Sequence, residues 1–173
     1  MVRVLALLLL MVSSFGVVAK EYNKVIFHAH FGEKSGVLRA TIPSALIDPE
    51  LSNKYPELKS SYLTSDQRKA YLVRYLRDTV KLQYSAFPMA LGDSRIVERH
   101  KYTEIIVKVA FIPRSASQLL VEITSFSDNP DHTNVFTLNK EGLIEQKLEL
   151  NRRNDFTGLL LVLEDDDQFA YRY

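Results

Sequence analysis

Just behind the N-terminal leader, apolar and polar residues alternate with a period of two. Val25, Phe27, Ala29 and Phe31 fall on one side; Ile26, His28 and His30 fall on the other. That period predicts a strand with one apolar face and one more polar face. GEKSG (32–36) is a compact turn and VLRATI (37–42) alternates again, so the two stretches read as a β-hairpin. PSALIDPELSNKYPELK (43–59) carries three prolines and no clean period. An irregular connection is expected there, with a short helical turn near SALI.

Helical periodicity is convincing once. Thr64 with Gln67 three residues later has the form of a capping box, and Tyr71, Leu72, Tyr75, Leu76 and Val80 make one apolar stripe. Arg68, Lys69, Arg74, Arg77 and Asp78 occupy the other faces. A single packed helix is expected over about 65–80, its stripe against a sheet. The rest reads as strand: VKLQYSAF (80–87), IVERH (96–100), TEIIVKVAFI (103–112), SQLLVEITSF (117–126), VFTL (135–138), LIEQKLEL (143–150) and FTGLLLVLE (156–164). Short strands at regular spacing predict a mainly β fold, an antiparallel sandwich with one inserted helix.

The first nineteen residues stand apart. Arg3 precedes an apolar run from Val4 to Val12, and Val17 and Ala19 fit the small-residue positions of a cleavage site. This is the layout of a secretory signal peptide, with cleavage expected after Ala19. A retained anchor is the competing outcome, but Ser13, Ser14 and Gly16 interrupt the run short of the roughly 20 apolar residues a span needs. The domain is then expected over 20–164, with an acidic and aromatic tail over 165–173. Phe169, Tyr171 and Tyr173 alternate in that tail as at the end of an outer-membrane barrel, but a packed helix and an irregular early segment do not suit a barrel.

Composition narrows the function. With no cysteine, the exported domain has no disulfides, thiolate zinc sites or cysteine nucleophile. Without Arg3, basic and acidic residues balance at 21 each, and no long basic run supplies a nucleic-acid footprint. G-x-S-x-G, H-E-x-x-H and Gly-rich phosphate loops do not occur. No catalytic set and no cofactor is therefore expected.

YLVRYLRDTVKLQY (71–84), LLVEITSF (119–126), the Asp-rich turn in SDNPDHTNVFTL (127–138) and NKEGLIEQKLELNRRND (139–155) follow one another in a familiar order. Over roughly 71–161, a little over half the chain, the order resembles an uncharacterised family of exported bacterial domains with an immunoglobulin-like sandwich. It is also similar to the extracytoplasmic N-terminal domain of HupE/UreJ-type membrane proteins. SAFPMALG (85–92) departs from the glycine hairpin that the family pattern often has after its helix. The resemblance implies an immunoglobulin-like sandwich and export. It implies no activity and carries no catalytic residues with it.

Two constellations bear on chemistry. His28 and His30, at i and i+2 of a strand, share a face and suit zinc or copper; Asp128, Asp131 and His132 of the polar turn would complete a site if the fold brought them near. The competing reading puts both histidines on the exposed face of an amphipathic strand. The expected role is an exported, periplasmic, non-catalytic binding or accessory domain whose partner is another envelope or membrane protein. Segment 43–59 and the SDNPDHTN turn are its expected contact surfaces. The alternative is a periplasmic metal-binding protein using His28 and His30.

Overall fold

The computed structural model describes residues 23–32, 35–59, 64–85, 87–110, 118–140 and 144–161. The leader over 1–19 and the tail over 165–173 lie outside them.

The expected hairpin forms from β1 (Lys24–Phe31) and β2 (Ser35–Pro43), with Phe27 opposite Ala40 and His28 opposite Arg39. Its period sorts the side chains as expected: Val25, Phe27, Ala29 and Phe31 are buried, while Ile26, His28 and His30 are exposed.

After β2 the structure differs from the sequence reading. Ser44–Lys54 is a full helix, α1, followed by a short 3₁₀ turn at Pro56–Lys59. Two of the three prolines lie where they do no harm: Pro43 precedes the first turn and Pro56 follows the helix end. Pro49 is inside and removes one helical N–H. Tertiary contact offsets that loss, since Leu51 is buried and Leu46 and Ile47 pack on the core. The predicted helix is present as α2 (Ser65–Thr79), with a true capping box: Gln67 N donates to Thr64 Oγ1 at 3.3 Å and Thr64 N donates to Gln67 Oε1 at 2.8 Å. Its buried face is Leu72, Tyr75, Leu76 and Thr79.

Helix α2 runs directly into β3 (Val80–Tyr84). The strands that follow are β4 (Phe87–Pro88), β5 (Ala90–Glu98), β6 (Tyr102–Ala110), β7 (Gln118–Ile123), β8 (Thr133–Lys140), β9 (Gln146–Asn151) and β10 (Thr157–Leu161). They form two sheets, one of six strands in the order β5-β6-β2-β1-β8-β9 and one of four in the order β10-β7-β3-β4. The fold is thus mainly β with a sandwich-like layout and two helices. Among the described residues all pairings are antiparallel except β1 with β8, which is parallel. The departure has a local cause. Thr133 N donates to Asn23 O at 3.0 Å, and Asn129 Nδ2 donates to Asn23 Oδ1 at 3.3 Å. The turn after β7 therefore delivers β8 to the beginning of β1, and both strands set out from the same end.

One apolar cluster joins the sheets. Phe27, Phe31, Ile105 and Phe136 enter it from the larger sheet, and Leu82, Tyr84, Leu119 and Val121 from the smaller. Where β10 meets β9, Gly158 sits so close to Leu148 that a Cβ would lie 2.8 Å from the leucine Cδ1. Among the described residues no helix is long and apolar enough to cross a membrane.

Opposite faces of β1 should respond differently to truncation. Phe27→Ala is expected to cost about 3–5 kcal/mol in urea unfolding, whereas His28→Ala, on the exposed face, should stay within about 0.5 kcal/mol.

Candidate functional site

The strand period separates the metal ligands expected from the sequence. His28 and His30 lie about 7 Å apart on the outer face of the larger sheet. His28 is flanked by Arg39 and Thr137, and His30 by Val37 and Asn139. His132 is on the core side and only 1% exposed. Its Nε2 lies 2.9 Å from Oδ1 of Asn134, a residue in register with the buried Val25. Asp128 and Asp131 are exposed on the turn between β7 and β8. The sheet therefore stands between the two exposed histidines and His132. Among the described residues, no group of three or more His, Asp or Glu side chains gathers as a metal site. His28 and His30 remain a two-imidazole pair beside the Arg39 cation.

The two segments expected to form contact surfaces do meet, at one end of the sandwich. Asn53 Nδ2 of α1 donates to Asp128 Oδ2 at 3.1 Å. Beneath them, the Tyr75 hydroxyl donates to Glu50 Oε1 at 2.5 Å and accepts from Phe126 N at 2.6 Å. Burial and the Glu50 hydrogen bond hold that hydroxyl far above the ordinary tyrosine range, so it stays a donor. Phe126 has φ 60°, unusual for a bulky residue, and its ring packs against both Tyr75 and His132 at 5.5 Å between centroids. Thr79 Oγ1 lies 2.6 Å from Ser125 Oγ and donates to Tyr75 O at 2.8 Å.

The same junction fixes the His132 tautomer. Asn134 Nδ2 donates to Ile123 O at 3.0 Å and to Ser125 O at 2.9 Å, which orients the amide and leaves Oδ1 as the acceptor. The proton of His132 is then on Nε2. Its Nδ1 is buried without a hydrogen-bond partner. Burial lowers the imidazole pKa below its usual value, against a smaller opposing effect of Asn134.

The outer flank of α2 lines an opening toward β5. A cleft of about 790 Å³ lies between α2 and β5. Ala70, Val73 and Ile96 supply its apolar surface, and Lys69, Arg74 and Arg77 its cations. Arg77 Nη2 donates to Gly92 O at 2.8 Å, a neutral partner. Gly92 lies in the irregular register between Leu91 and Ser94. Lys69 Nζ lies 3.4 Å from Glu98 Oε2 at the other end. Arg74 and Asp78 are 3.9 Å apart, and Asp93 faces Lys108 at 3.8 Å. All these pairs are exposed and therefore weak.

Lys69, Val73 and Arg77, at i, i+4 and i+8, form a line along the helix. The sequence reading put the cations on the helix faces away from the apolar stripe and began the neighbouring strand six residues too late, at Ile96 rather than Ala90. It therefore missed the second wall of the cleft. Compared with known proteins, the chain matches no protein-family model and no curated protein.

The buried His132 predicts a pH dependence of stability. The unfolded chain binds a proton at this residue near pH 6.5, whereas the folded chain binds it only at lower pH. As pH falls below about 6.5 the unfolded state holds more protons, so stability falls, by at most about 1.4 kcal/mol per pH unit from this group. Urea unfolding at pH 7.5 and 5.5 should show that loss in the native chain and a smaller one in His132→Gln. Equal losses would contradict the assignment.

Proposed function

We propose that this chain is an exported, non-catalytic binding or accessory domain of the bacterial cell envelope, recognising another envelope or membrane protein through the cleft between α2 and β5. The observation that carries the proposal is the cleft itself: an apolar surface of Ala70, Val73 and Ile96 beside Lys69, Arg74 and Arg77. Apolar area supplies binding energy, and cations at the margin steer and orient a complementary partner. Both walls belong to regular elements, which favours rigid presentation. Export is supported by the three-part leader over residues 1–19. The likeness of residues 71–161 to exported immunoglobulin-like domains, including those of HupE/UreJ-type membrane proteins, points the same way. His28 and His30 are on the other side of the larger sheet and take no part in this reading.

The test has two arms. Cell fractionation should recover the full-length product in the periplasm, shortened by the 19 residues of the leader. The immobilised domain should retain an envelope component that Lys69→Glu/Arg77→Glu loses and that His28→Ala/His30→Ala keeps. A cytosolic product would overturn the export reading. Retention unchanged by the cleft variant would overturn the assignment of the surface.

A further inference from the structure

We infer that β5 is a docking edge: an extended acidic segment of a partner polypeptide, with the pattern acid-x-apolar-x-acid, pairs with Ser94–Glu98 and fills the cleft under α2. The inference rests on the cleft being the recognition surface and names what that surface recognises.

Four strands end the two sheets, and they are not equivalent. β9 and β10 lie against each other, with Gln146 Nε2 donating to Leu161 O at 2.9 Å and Gly158 in contact with Leu148. That side of the sandwich is closed. β4 is two residues long and one of them is Pro88, which has no N–H to offer. β5 has nine residues and, among the described residues, pairs only with β6. Its register is irregular between Leu91 and Ser94 and regular from Ser94 to Glu98, which leaves a five-residue platform for one more strand.

The wall above that platform sets the pattern. Contacts of Lys69 with Glu98 and of Arg77 with Gly92 show that α2 runs alongside β5 in the opposite direction. Lys69 and Arg77 are eight residues apart, about 12 Å along the helix axis. Residues i and i+4 of a strand are about 13 Å apart and point to the same face. Two acidic residues at that spacing reach both cations, and the residue midway between them, on the same face, meets Val73 and Ile96. Charge favours this partner at the Arg77 end: Asp93 faces Lys108, Asp78 is shared with Arg74, and Arg77 donates to the neutral Gly92 carbonyl, while at the other end an incoming acid competes with Glu98 for Lys69. Giving up the exposed contacts of Lys69 and Arg74 costs little.

A fluorescent TETVTET peptide serves as the probe. It should bind the domain saturably and weaken with added salt. Arg77→Glu should reduce binding about tenfold or more, and a TKTVTKT peptide should not bind. Backbone pairing is tested by N-methylation of alternate amides. One register of methyl groups should abolish binding and the other should leave it, because a strand shows alternate N–H groups to one side. If both methylated peptides bind like the parent, edge pairing is overturned and the cleft assignment stands. If TETVTET fails to bind while the envelope component is still lost with Lys69→Glu/Arg77→Glu, the acidic-segment pattern is overturned and the cleft assignment again stands. If neither the peptide nor the envelope component depends on the cleft, both fall together.

Discussion

The Tyr75 hydroxyl is the constraint on which the rest of the architecture depends. It donates to Glu50 of α1 and accepts from the backbone of Phe126, so one buried group ties two helices to the turn between β7 and β8. A hydrogen bond to a charged partner contributes about 1.5–3 kcal/mol. Phe126 N–H would otherwise be a buried donor in a left-handed conformation with nothing to bond. The same turn carries Ser125 to Thr79 and the carbonyls that orient Asn134, and it starts β8 beside β1. The parallel pairing, the His132 tautomer and the position of α2 therefore follow from one junction.

Tyr75 holds the inner face of α2, and this leaves Lys69, Val73 and Arg77 looking over β5. The cleft is thus a by-product of how the helix is secured. At the opposite margin the two sheets close on each other through Gly158, Leu148 and Gln146. On the other side β4 leads through the buried Met89, whose N–H donates to Leu82 O at 2.8 Å, into β5, and the Ser94–Glu98 stretch beside the cations of α2 gives a direction in which a partner can approach. The side chains of Leu159 and Leu161 on β10 are exposed, and only the Leu161 carbonyl takes part in the closed margin, accepting from Gln146 Nε2.

Much of the fold was legible in the chain because its signals are local. Period two in residues 25–31 gave β1 and the orientation of both histidines, and the Thr64–Gln67 box gave the start of α2. What was not legible depends on contacts distant in sequence. Prolines 43, 49 and 56 read as a loop, yet α1 forms because Leu51 and Glu50 find partners on α2 and in the core. The parallel β1–β8 pair depends on Asn23 meeting Asn129 of the turn, 106 residues later. The site was less legible than the fold. Five candidate ligands had suitable chemistry, but the sheet divides His28 and His30 from His132. The cleft carries no motif, since it needs a helix flank and a strand whose bulged first half hides its alternation.

The most direct test of the cleft as a recognition surface is photo-crosslinking in living cells from a benzoylphenylalanine placed at Ala70 or, separately, at His28. The two positions sample the cleft and the outer face of the larger sheet. The account predicts a discrete adduct from Ala70 and none from His28. An adduct from His28 alone, or none from Ala70, would contradict it and move the recognition surface elsewhere.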